Sequence, residues 1–389
     1  MLTDSSSPTV SEPLLSEHGA PAVDAVDLAS EAASLSGLDW FLVSLQLVIL
    51  FLFVSSIMKW ISLLRGGARF FGERAIVPVR ARARPHWNPL YFIFFFAVLL
   101  VANMQLNQST TEPPAPTPAA TSEPTSEPVV STETTATPLT SATPPPISVT
   151  QLLMSSASMV TATLATMWLV LAFCPHVPKG IIENHDRPRV GWLARRGDIS
   201  LGFGAAWLIL PPTMMMMAVV SLMQTYSHPV LEALKPNNAD SQPDLAVFAA
   251  LFFSTAIITP LVEEFWFRGM LQGGLQRIAD TISDARRWST GSIDTENQVE
   301  TDGPPIATEL RDPATRTDWT PTAIWPIVVT SLIFAVMHWG QGLAPVALFF
   351  LSLGLGYLYR QTGSLVPSIT VHFVLNGFTM CVTLLELLR

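Results

Sequence analysis

Long unbroken apolar runs recur along this chain, separated by stretches that are polar, basic or rich in proline. A helix crosses the hydrocarbon of a bilayer with about 20 mostly apolar residues. Eight segments meet or approach that length, at 39–64, 89–106, 148–174, 199–225, 245–275, 323–342, 344–360 and 364–388, the seventh being the shortest. None carries the one-sided polar stripe of a soluble amphipathic helix, and none alternates as barrel strands do. The pattern predicts an all-α, polytopic membrane protein of about eight transmembrane helices.

Composition agrees. Hydrophobic residues make up 49% of the chain, charged residues only 13%, and the mean hydropathy is +0.40, whereas a soluble domain carries roughly a quarter charged residues. Membrane lipid is the partner this implies. The net charge of −9 sits mostly in tails and loops, and nothing in it supports a nucleic-acid partner. Cys174 and Cys381 lie in or at the end of apolar runs without a CxxC neighbour, so neither a disulfide framework nor a thiolate metal site is expected.

The polar stretches set the organisation. Residues 1–38 hold no Lys or Arg and several acids, which predicts a disordered acidic tail rather than a signal peptide. A transmembrane hairpin with a basic loop follows over 39–106. Lys59, Arg65, Arg69, Arg74, Arg80, Arg82 and Arg84 crowd after its first span, and Lys179, Arg187, Arg189, Arg195 and Arg196 after the third. Both clusters should face the cytoplasm. The alternate loops, 107–147 and 226–244, hold a single basic residue between them, Lys235, which places both termini on the opposite side. Residues 107–146 form a Pro, Thr and Ser tract with little to bury, expected to be a disordered spacer. Accessory helices occupy 147–244, and the remainder, 245–389, is interrupted by a polar insertion at 280–321 that reads as a disordered cytoplasmic loop.

Ionisable groups inside an apolar span cost about 2.5–3.5 kcal/mol each on insertion scales, so the exceptions are informative. The fifth segment carries Glu263, Glu264 and Arg268, the sixth His338, and the eighth His372 and Asn376. Glu264 and Arg268 are four apart with the acid first, the favourable order for a pair on one helix face. That leaves Glu263 without an intrahelical cation and free to act as a general base or acid. His372 and Asn376, also four apart, present ring and amide N–H groups suited to holding an oxyanion. Phe334 shares a face with His338. The fifth and sixth spans run in opposite directions, so a tilt or break must bring their polar groups level, and Pro260 is the expected site of a kink. Phe265, Trp266 and Phe267 read as lipid-facing or packing residues.

At these positions the chain resembles the CAAX protease and bacteriocin-processing family of intramembrane proteases, also called Abi or type II CAAX prenyl endopeptidases. Its three motifs appear in order: EExxxR as Glu263 to Arg268, FxxxH as Phe334 to His338, and HxxxN as His372 to Asn376. The stretch from Gly354 to Asn376 also looks like the family's lead into its third motif. The resemblance covers roughly 245–389. It implies that the four C-terminal helices form a catalytic core, in a multi-pass protein of a bacterial cell membrane. The activity it implies is hydrolysis of a peptide bond in or next to the membrane, on a membrane-associated or prenylated peptide or protein. Residue by residue it implies that Glu263, helped by His338, activates water, that His372 and Asn376 stabilise the oxyanion, and that Glu264 and Arg268 hold the helix in register. No cofactor is expected. The alternative within hydrolysis is a zinc enzyme with Glu263, His338 and His372 as ligands, although HExxH is absent. Outside it stand a transporter, for which paired broken helices are not seen, and an inactive scaffold.

Overall fold

The computed structural model describes residues 37–109 (except Glu73 and Ala83), 149–172, 190–224, 244–289 and 319–387. Among them there is no strand, only two isolated bridges, Arg69–Ala75 and Arg82–Trp319. The helices are α1 (Gly37–Arg65), α2 (Leu90–Ser109), α3 (Val149–Ala172) and α4 (Asp198–Met223). Next comes one long rod made of α5 (Leu245–Phe252), a π-helical turn π1 (Phe253–Ile258), α6 (Thr259–Glu263), a second π-helical stretch π2 (Glu264–Gln272) and α7 (Gly273–Ser289). The chain ends with α8 (Trp325–Val336), α9 (Ala344–Thr362) and α10 (Val366–Leu387).

Each of the eight expected segments thus contains a helix. Five rods are long and apolar enough to cross a membrane by themselves, at Trp40–Arg65, Val149–Val170, Asp198–Met223, Leu245–Arg286 and Val366–Leu387; Leu90–Val101 and Trp325–Val336 are shorter apolar helices. Two boundaries differ from the sequence reading. The sixth segment is helical only to Val336, where the chain breaks into turns. The fifth does not stop near 275. It continues to Ser289, so the first ten residues of the insertion expected at 280–321 are helical, because Ala279 and Asp280 are buried against the protein while Ile282 and its neighbours face out. The expected tail, the Pro/Thr tract and the rest of the insertion lie outside the described residues, apart from 37–38 and 107–109, which belong to α1 and α2, and 319–321.

Residues up to Ser55 form a unit of their own, most of α1, with Phe41, Leu47, Leu50 and Phe51 exposed as on a lipid-facing surface. In the second unit, α8 and α9 pair as a hairpin and α4 packs along α9 and α10. The helices α2 and α3 lean on the other side of the long rod. There Phe92, Phe95 and Phe96 meet Trp266 edge-on, with ring centroids 5.9–6.4 Å apart. Phe265, Trp266 and Phe267 are all buried, which makes them packing residues.

The basic loop 66–89, expected only as a topological signal, is built into the fold. Trp87 is buried and donates to Gly269 O at 3.0 Å. Arg84 pairs with Asp284 at 2.9 Å. Arg82 donates to Arg360 O at 2.9 Å and lies over the rings of Trp319 and Tyr359. Burial pulls its guanidinium down to about 10, so it stays charged at neutral pH. The loop can cross the rod this closely because a Cβ on Gly274 would stand only 2.6 Å from Pro89 N. Arg360 closes the same end, donating to Pro321 O, Thr322 O and Ala323 O at 2.7–3.1 Å.

Candidate active site

The long rod departs from ordinary α geometry on both sides of Pro260. Proline removes one N–H from the i→i+4 ladder, and here the ladder shifts to i→i+5 turns on either side of that residue. Such wide turns often lie at functional sites. Glu263 closes α6 and Glu264 opens π2.

Glu264 and Arg268 are both fully buried, with Arg268 Nε 3.2 Å from Glu264 Oε2. Both charges are shut off from the surface, so each depends on the other. The guanidinium also lies over the Phe334 ring, 5.2 Å from its centroid. His372, from α10, reaches the same carboxylate: its Nδ1 is 3.2 Å from Glu264 Oε1. Its Nε2 stands 3.8 Å from Glu263 Oε2, so one imidazole bridges both acids. Glu263 differs from its neighbour in keeping a partly exposed side chain, at 19% against 0%.

His338 lies just beyond the end of α8, in the turn that follows Val336. Its Nδ1 is 2.8 Å from Phe334 O. A carbonyl only accepts, so Nδ1 carries the proton and Nε2 is left as a base. The break in the helix places the ring at the cavity that Glu263 also lines. Phe334 stands between the two histidines, its ring 4.8 Å from that of His338 and 6.2 Å from that of His372.

Glu263 and His338 line one cavity of about 250 Å³, whose other walls are Phe92, Phe96, Leu99, Met159, Trp266 and Met337 among others. It has one polar edge and an apolar body shared by α2, Met159 of α3, the rod and Met337. Asn376 is held differently from the rest. Its amide donates to Thr255 O at 2.9 Å, a carbonyl of π1, and so uses one of its two N–H groups on the backbone. Thr255 was invisible to sequence reasoning, because a backbone acceptor has no residue-type signature. Of the six candidate residues, Glu263, Glu264, Arg268 and His372 form one contiguous cluster, His338 shares the cavity with Glu263, and Asn376 lies one turn beyond His372. Among the described residues no three His, Cys, Asp or Glu side chains are placed to hold a metal ion together, so the zinc set Glu263, His338 and His372 does not form a ready site in this arrangement.

Residues 245–378, about a third of the chain, match the family model described as Rce1-like, type II CAAX prenyl endopeptidase Rce1-like. No curated protein and no solved structure gives a match.

Proposed function

We propose that this protein is a CAAX-type peptidase carried by apolar spans, on the match of residues 245–378 to the Rce1-like model, and that it cleaves peptide bonds from the 250 Å³ cavity with Glu263 as the base. One observation carries the reading. Glu263 is the only acid of the pair with an open face, and that face shares a cavity with His338 while His372 backs it at 3.8 Å.

The Glu263 carboxylate takes a proton from a water, with His338 Nε2 as a second acceptor, and the hydroxide adds to the scissile carbonyl carbon. Negative charge develops on the carbonyl oxygen. His372 donates from Nδ1 to Glu264 and, in its doubly protonated form, from Nε2 to that oxygen, and Asn376 supplies the amide N–H not spent on Thr255. The proton held by Glu263 passes to the departing amine as the C–N bond breaks. Glu264 and Arg268 position His372 and touch no substrate. The apolar walls suit a lipid-modified or membrane-embedded peptide, and a prenylated C-terminal peptide is the substrate class proposed. Water activation is proposed to need no metal.

The test is cleavage of a membrane-anchored, prenylated peptide by purified, reconstituted protein. Glu263→Ala and His372→Ala should each abolish turnover, a loss of about 10³-fold or more, with normal insertion and a normal unfolding profile. Turnover retained by Glu263→Ala removes the base. Stoichiometric zinc in the wild type, lost together with activity on chelation, overturns the metal-independent step.

A further inference from the structure

Beyond Glu263, the rod carries a polar face of which only the Glu264–Arg268 end enters the proposed function. Glu264, Arg268, Gln272, Gln276 and Asp280 follow at four-residue spacing, and none is more than 3% exposed. Their contacts turn this face toward α8 and α9. Arg268 lies over Phe334, Gln272 Nε2 donates to Gly356 O at 2.8 Å, Gln276 Nε2 to Ala323 O at 3.3 Å, and Asp280 Oδ1 accepts from Thr322 Oγ1 at 2.5 Å. The column extends along π2 and the first half of α7. It runs from the Arg360 end of the bundle to the Glu264–His372 contact.

On α8, Thr330 and Ser331 share by spacing the face that carries Ile327, whose side chain adjoins Gly356, and Phe334, which lies under Arg268. On α9, Ser352 stands one turn before Gly356. On these three faces, among the described residues, Arg268 Nη1 and Nη2, Gln272 Oε1, Gln276 Oε1, Thr330 Oγ1, Ser331 Oγ and Ser352 Oγ are buried without a hydrogen-bond partner in the protein. Helical hydroxyls elsewhere fold back onto the carbonyl four residues earlier, as those of Thr362, Thr370 and Thr383 do. Those of Thr330 and Ser331 do not.

Buried polar groups are almost always satisfied, so seven such atoms on these faces need a common ligand. Donors and acceptors alternate, since the guanidinium donates, the amide oxygens accept and the hydroxyls do both. An anion is opposed by Glu264 and Asp280, a cation by Arg268. Water alone matches the whole set, at two or more bonds per molecule. We propose that this face holds a file of internal waters behind the Glu264–His372 contact, and that the file resupplies the reaction centre while substrate fills the cavity in front. Each turnover consumes one water, whose hydroxyl joins the carbonyl carbon and whose proton leaves on the amine. The supply role rests on the proposed function; the file does not.

Thr330→Val, Ser331→Ala and Ser352→Ala, singly and together, remove hydroxyls with little change of shape. Were these groups dry, deletion would relieve a buried unpartnered hydroxyl and raise Tm. In a hydrated file, deletion strips bonds from water, so the triple variant should lose several degrees of Tm. Its kcat should fall about threefold or more at unchanged KM. An unchanged or raised Tm overturns the file. A lowered Tm with unchanged kcat overturns the supply role. The singles are read in the same way if the triple variant does not accumulate. Measuring Tm in a Glu263→Ala background keeps the file testable if the proposed base is wrong.

Discussion

Gly202 is the point at which α4 meets α10, and Gly202→Ala is expected to damage both stability and turnover. A Cβ built there stands 2.5 Å from Thr370 Cβ and 2.9 Å from both Thr370 Cγ2 and Oγ1. Carbon atoms in contact prefer about 3.5–4.0 Å, so the helices must part by roughly 1 Å. Rotating Thr370 gives no relief, because its Cβ is itself in the way and its Oγ1 is bonded to Val366 O at 2.8 Å. Overpacking of this kind costs about 1–3 kcal/mol. Two residues beyond Thr370 comes His372, and a 1 Å misplacement of reacting groups costs on the order of 10²-fold in rate. Gly204→Ala is the control. A Cβ there meets nothing within 4 Å, and replacing an exposed helical glycine gains about 0.5–1 kcal/mol. Thermal unfolding and peptide cleavage by the reconstituted protein measure both effects. Gly202→Ala matching Gly204→Ala in Tm and turnover would refute the close approach and, with it, the dependence of His372 on the seat of α10.

Two further outcomes follow from buried polar contacts. Arg360→Ala frees three backbone carbonyls and removes the cation beneath Phe71, so unfolding measurements should show a loss on the order of 3 kcal/mol. Trp266→Phe keeps the aromatic packing against α2 and deletes the 3.0 Å bond to Thr163; a drop of about 1 kcal/mol is expected, with KM rising more than kcat falls because Trp266 lines the cavity.

The polar residues of the site were legible because apolar spans make exceptions conspicuous: six candidates emerged from the cost of placing such groups in lipid, and four of them, Glu263, Glu264, Arg268 and His372, stand in one cluster. The pairing of Glu264 with Arg268 followed from spacing alone. What could not be read depends on backbone or on distant partners. Asn376 binds a carbonyl of Thr255, and carbonyls belong to every residue. The continuation of the rod to Ser289 was masked by a polar composition that suits a loop, until Gln276 and Asp280 find partners in Thr322 and Ala323 from the far side of the insertion. Likewise the arginines of the 66–89 loop spoke for topology, while their hydrogen bonds to Arg360 O and Asp284 needed the tertiary fold. Pro260 pointed to a disturbance in the right place but not to its form.

That form makes the rod tolerant of one particular change of length. A wide turn holds one residue more than its ordinary counterpart, so losing a single residue from 253–258 lets the coil tighten to regular pitch while both acids keep their bearing about the axis. A helical wheel drawn at regular pitch through 245–289 assigns faces wrongly for the same reason. Among relatives aligned through this stretch, one-residue gaps should fall inside the wide turns and nowhere else in the rod.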